Sequence, residues 1–140
     1  MQIPLSTPQQ PKRPPLELLS IKLYSTGIKK VFTDHFYKSM NRNFGVEITI
    51  RNNTSKLQEM KIGGCIYDSN KNKAVNWIGN KKINPHSTTS YDFYVTEDRF
   101  SKLNAGKYTV IFWINDKKVK ESKFTITYKW QWNNSSKVIG

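Results

Sequence analysis

Three side chains in this sequence have the chemistry of a nucleophile, a base or a soft metal ligand at neutral pH: Cys65, His35 and His86. A Cys65–His pair would be the beginning of a thiol nucleophile with its base. The surroundings of Cys65 argue against that role, because it stands mid-segment among apolar residues beside Gly63-Gly64, where a cysteine usually serves as a small buried side chain. His86 follows Pro85 in a turn-like stretch and His35 lies in an irregular one, so both read as solvent-facing loop residues. With Asp34 or Asp92 the histidines still lack the His-x-His or His-Glu-x-x-His spacing that sets two ligands on one face. Glu97-Asp98 is a lone acidic pair, too little for calcium, and Gly63-Gly64 is not followed by the Lys-Ser/Thr of a phosphate loop. The expectation is a non-enzyme with no catalytic residue, metal, cofactor or small-molecule substrate.

The chemistry that remains is binding, and two stocks of residues could supply it. Nineteen Lys and four Arg against ten acids give a formal charge of +13. The excess is divided, with residues 21–58 and 117–140 each carrying +5. Lys117, Lys118, Lys120, Lys123 and Lys129 stand close to Trp130 and Trp132, a combination that suits a single-stranded nucleic acid, where cations track phosphate and aromatics stack on bases. Against it, lysine outnumbers arginine, the residue for planar bidentate recognition, and lysine on a last strand also guards a sheet edge. Solvated, edge-guarding lysines are therefore ranked ahead of a polyanion site. The second stock is aromatic, at 13% of the residues. If Tyr108, Val110, Phe112 and Ile114 face a core, then Ile111 and Trp113 face outward, as does Tyr94 between Phe93 and Val95. Tyr94, Ile111 and Trp113 on one open face would form an apolar patch of the kind that marks a protein contact. The alternative is that the 27–43 connection or the Trp130–Trp132 tail folds over them.

These residues need strands to position them. One hundred and forty residues make one domain, large enough to bury a core without disulfides, and one cysteine excludes an intrachain disulfide framework. No apolar run approaches membrane-spanning length, and no signal peptide is visible after Met1, so a cytoplasmic location is expected. Five of the six prolines fall in the first fifteen residues, which marks 1–17 as a Pro-rich arm or linker, followed by a domain over 18–129 and a tryptophan-containing tail over 130–140. Within the domain the apolar period is two. It predicts strands over 18–24 (Leu19, Ile21 and Leu23 on one face), 44–51, 60–67, 74–78, 87–95, 108–114 and 119–128, with the last two joined as a hairpin at Asn115-Asp116. Gly63-Gly64 suggests a bulge or a backbone passing close by. Only 97–103 could form a helical turn, capped by Thr96, and 27–43 reads as a long connection. About seven strands with turns between them predict an all-β sandwich or barrel.

The stretch Leu103-Asn-Ala-Gly106-Lys-Tyr108 sets a leucine, a glycine turn and a tyrosine at the start of a strand, preceded by Ile83-Asn-Pro85-His-Ser87 with Tyr91 and Phe93, and followed by the hairpin ending Phe124-Thr-Ile126. It resembles the tyrosine corner of immunoglobulin-like and fibronectin-type sandwiches, in particular disulfide-free bacterial accessory domains, over about residues 18–128. The resemblance implies a Greek-key sandwich in which the Tyr108 phenol bonds back to the corner. The paired cysteines of antibody domains are absent, and neither Trp77 nor Trp113 has the spacing of the family's strand tryptophan. The function expected first is a protein-interaction or assembly module, holding a protein partner or a homo-oligomer through Tyr94, Ile111, Trp113, Trp130 and Trp132. Binding of nucleic acid or another polyanion comes second. An enzyme inhibitor inserting the 80–87 loop comes third.

Overall fold

The computed structural model describes residues 13–128, and within them the chain is an all-β sandwich. Nine strands and one helical turn follow in the order β1 (Leu16–Ser25), β2 (Val31–Phe32), β3 (His35–Tyr37), β4 (Phe44–Asn52), β5 (Gln58–Asp68), β6 (Lys73–Ile83), β7 (Thr88–Val95), α1 (Glu97–Ser101), β8 (Gly106–Ile114) and β9 (Lys117–Thr127). A four-stranded sheet runs β2-β1-β4-β7 and a five-stranded sheet β3-β9-β8-β5-β6. The chain changes sheet on entering and leaving β3, between β4 and β5, between β6 and β7 and again between β7 and β8, crossing between layers as Greek-key sandwiches do. Every pairing is antiparallel except that of β3 with β9.

The alternation seen in the sequence decides what lies between the sheets. Phe44, Val46, Ile48 and Ile50 of β4 are fully buried, and facing them β8 buries Tyr108, Val110, Phe112 and Ile114. Each such side chain contributes about 1.5–3 kcal/mol of transfer free energy. Phe36, Phe44, Phe100 and Phe124 close one end, Phe36 stacking on Phe44 with ring centres 4.4 Å apart. The Asn115-Asp116 turn has φ of +50° and +69°, which gives the expected tight hairpin, and the Tyr108 hydroxyl donates to the Asn104 carbonyl at 2.6 Å, with Leu103 buried beside the corner. Gly106 starts β8 at φ +153°, a conformation that side chains rarely adopt.

Five expectations need correction. The 27–43 connection contains two strands, β2 and β3, too short to show a period, so the count is nine instead of about seven. His35 is accordingly not a loop residue: it sits half-buried on β3, stacked on Tyr37 and bonded to the Thr127 hydroxyl at 3.0 Å. On β1 the register slips between Leu18 and Ser20, so Leu18 and Leu23 face the core while Leu19 is turned out. β1 begins at Leu16, within the expected arm, because Asn53 holds the carbonyls of Pro14 and Pro15 at 2.9 Å each. β6 runs on to Ile83, so the loop assigned to an inhibitor shrinks to a tight turn before β7. Asn52, at the end of β4, is fully buried: its amide donates to the carbonyls of Lys56, Ile83 and Asn84 and its Oδ1 accepts from Thr54, tying two loops together.

Candidate interaction surface

The sandwich has two outer faces, and the expected aromatic patch is split between them. Tyr94 projects from β7 on the four-stranded sheet, whereas Ile111 and Trp113 project from β8 on the five-stranded sheet, on the other side of the core. Alternation along β7 and β8 gives the outward residues, but it does not say which sheet a strand joins. Trp130, Trp132 and Lys129 lie outside the described residues.

On the four-stranded sheet, Phe32, Tyr24, Gly45 and Tyr94 form one row across β2, β1, β4 and β7. The Tyr24 ring lies over Gly45, where an added Cβ would come within 2.2 Å of the ring's Cζ. Its hydroxyl donates to Asp92 at 2.8 Å, and Lys30 sits 4.2 Å above the ring while pairing with Glu47 at 2.9 Å and Asp92 at 3.4 Å. Tyr24 is thus 3% exposed although it is on an outer face. Burial, followed by the Asp92 carboxylate, pushes its phenol well above the usual tyrosine value. Lys22, Lys30 and Arg51 here balance Glu17, Glu47 and Asp92, and most of the polar groups have one another as partners.

On the five-stranded sheet the neighbouring glycines play opposite parts. Gly64 points inward, where the Trp77 and Phe112 rings stack in parallel across it and an added Cβ would meet Trp77 at 2.8 Å. The register runs unbroken through the pair, so Gly63-Gly64 is neither a bulge nor a backbone crossing; the irregularity lies between Ile66 and Tyr67. Gly63 points outward between Ile78 of β6 and Trp113 of β8, and a Cβ there would meet nothing nearer than 3.9 Å. The missing side chain leaves an open hollow of about 330 Å³, walled by Trp113, Ile78 and Tyr67 and floored by Gly63 and Cys65. Ile78 is 72% exposed. Cys65 is buried in this floor, and burial raises its thiol pKa, which keeps it protonated. His35 on β3 and the exposed His86, in a turn with φ +51°, are on other elements, so the imagined Cys–His pair is not brought together.

Charge differs as well. Lys61, Lys73, Lys82, Lys107, Lys118 and Lys123 share this outer face with Glu59, Asp116 and Glu121, and of these Lys61, Lys73 and Asp116 line the hollow itself. Lys61 pairs with Asp116, Lys82 with Glu59 and Lys118 with Glu121, which leaves Lys73, Lys107 and Lys123 without an ion-pair partner among the described residues. Lys117, Lys118, Lys120 and Lys123 all lie on β9, whose first eight residues have β8 on one side and no described strand on the other. That is the edge position expected of guarding lysines. Among the described residues no group of three His, Cys, Asp or Glu could hold a metal, and no helix is long and apolar enough to cross a membrane.

No protein-family model and no curated protein sequence matches the chain. Solved structures with a similar fold are numerous. The C-terminal domain of Wzt is similar at TM-score 0.61 and 12% identity, over 86% of this chain and 79% of that one. The DNA glycosylase AlkC of Pseudomonas fluorescens, solved bound to DNA containing an abasic site analogue, is similar at 0.59 and 7% identity, over 81% of this chain and 30% of that one. The β-glucosidase EmGH1 of Erythrobacter marinus is similar at 0.58 and 12%, over 79% of this chain and 15% of that one. The chain spans less than a third of either enzyme, and at these identities the likeness is one of fold.

Proposed function

We propose that this chain is a non-enzymatic interaction module of the disulfide-free immunoglobulin-like type, and that it holds a protein partner on the outer face of its five-stranded sheet. The observation that carries this reading is the hollow at Gly63: an aromatic and an aliphatic wall flank a position from which the side chain is missing, so an incoming apolar side chain meets prepared contact. The net positive rim selects the partner's chemistry. Two copies of this face would repel, whereas a segment with an apolar residue flanked by carboxylates complements it. Selection from a random twelve-residue peptide library tests the reading. Acidic sequences centred on a large apolar residue are expected, with binding lost in Trp113→Ala and kept in Tyr94→Ala. Recovery of no sequence class, or peptides that depend on Tyr94 instead, would overturn it.

A polyanion reading is favoured by one observation, the unpaired Lys73, Lys107 and Lys123 near the exposed sheet. Retention of a fifteen-residue oligothymidylate that falls steeply with salt would support it in place of the protein partner.

A further inference from the structure

The free positive charge on the outer face of the five-stranded sheet is gathered at one end. Lys61, Lys82 and Lys118, toward the Gly63 end, hold Asp116 at 2.8 Å, Glu59 at 3.5 Å and Glu121 at 2.9 Å. Lys73, Lys107 and Lys123, toward the other end of the same strands, have no ion-pair partner among the described residues. The register fixes their places: Tyr67 of β5 stands between Lys73 of β6 and Thr109 of β8, Thr109 pairs with Lys123 of β9, and Lys107 pairs with Thr125. Tyr108, Val110, Phe124 and Ile126 are buried between the sheets, so alternation turns Lys107, Thr109, Lys123 and Thr125 outward together. These four residues line a depression of about 240 Å³. The nearby acids are engaged elsewhere. Asp68 accepts the amides of Asn70 and Asn72 at 2.9 Å each, and Glu121 is bonded to Lys118, with Lys123 acting on it only at longer range.

We propose that Lys107 and Lys123, with the hydroxyls of Thr109 and Thr125, bind carboxylates of the partner segment, which stand four to six residues to one side of the apolar residue in the hollow. This inference rests on the reading of the Gly63 hollow as the partner site. Gly63 is level with Trp113 on β8, and from Trp113 the chain reaches Thr109 in four positions and Lys107 in six. At the rise of a strand these are about 13 and 20 Å. A partner segment lying extended along the strands advances at the same rate, so distance on the sheet becomes spacing in its sequence. An acid beside the hollow meets Lys61 and Lys118, whose carboxylates it would have to displace. An acid further along meets ammonium groups that have no such partner. Lys73 is level with Lys123 but three strands away, about 14 Å at the spacing of neighbouring strands. Point charges spread in this way suit several carboxylates better than one compact bidentate anion.

Titration of labelled synthetic peptides, read by fluorescence anisotropy, tests the spacing. Each peptide carries one leucine in a Gly-Ser background, with no acid, with two aspartates adjacent to the leucine, or with two aspartates five and six residues from it on either side. The distant pair is expected to raise affinity at least tenfold over the neutral peptide in one of its two placements, and the adjacent pair less than threefold. Lys107→Gln/Lys123→Gln is expected to remove that gain with an unchanged urea midpoint. Lys29→Gln/Lys56→Gln, which loses the same charge on other elements, is expected to keep it. Equal affinity for adjacent and distant pairs, or a gain that survives Lys107→Gln/Lys123→Gln, would overturn the inference while the hollow still binds leucine. Binding of none of these peptides would overturn the reading of the hollow and this inference with it. A fifteen-residue oligothymidylate that binds more tightly than every peptide and is lost in Lys107→Gln/Lys123→Gln would overturn the inference by assigning these lysines to a polyanion.

Discussion

The two outer faces are built from similar residues and put to different use. Each has an outward glycine, aromatic neighbours and several lysines, yet Gly45 is covered by the Tyr24 ring while Gly63 is left open beside Trp113. On the first face the charges balance and the phenol, ammonium and carboxylates bond to each other. On the second, apolar walls stand open and the rim is net positive. Polar groups that already hold one another have little to offer a partner, since binding would first have to break those contacts. An apolar hollow between strands carries no such cost. The comparison therefore separates a face that stabilises the fold from one that is available.

The largest expected effect comes from the two glycines. Gly45→Ala drives a methyl against the hydroxyl end of the Tyr24 ring and is expected to cost about 3 kcal/mol, while Gly63→Ala is expected to change stability by less than about 0.5 kcal/mol. Urea denaturation of both variants measures the difference, and equal costs would break the contrast. Next, Trp113→Ala is expected to weaken a selected peptide at least tenfold, about 1.4 kcal/mol, and Tyr94→Ala less than twofold, by calorimetric titration. Smaller still, Tyr24→Phe removes the bond to Asp92 and is expected to cost about 1 kcal/mol.

That tyrosine also gives a pH signature. Tyr24, Tyr91 and Tyr108 are all raised above the ordinary value of 10.0, chiefly by burial. A phenol that holds its proton more tightly when folded contributes stability that is full below pH 10 and is lost as pH rises beyond it. Burial lowers the pKa of Lys38, which acts in the opposite direction. Melting temperature is expected to fall between pH 10 and 11.5, with a shallower fall in Tyr24→Phe. An unchanged slope would mean that the Tyr24 phenol does not couple its titration to folding.

Much of this architecture was legible in the sequence because period-two alternation is a local property. All seven expected strands exist, and the inward residues of β4, β7 and β8 are the expected ones. What alternation does not reveal is non-local. It says that Tyr94 and Trp113 both face out but not that they face out of different sheets, and so the single patch became two. The slip at Leu18–Ser20 reversed the phase of Leu19 without any proline or glycine to announce it. β2 and β3 are too short to show a period and exist because β1 and β9 offer them edges. Gly63-Gly64 stands out in the sequence, but the reason for Gly64 lies in rings contributed by β6 and β8. Asn52 gave no signal beyond its turn-like neighbours, since its three carbonyl partners come from residues 56, 83 and 84.

The central claim is that the hollow over Gly63 receives the partner, and Gly63→Val tests it most directly. A β-branched side chain suits an outward position in a central strand and meets no atom within 3.9 Å of its Cβ, so the fold should be unchanged or slightly stabilised. The measurement is the affinity of Gly63→Val for a selected acidic peptide, beside its urea midpoint. A loss of tenfold or more with an undiminished midpoint is the predicted result; native affinity with the hollow filled would contradict the account.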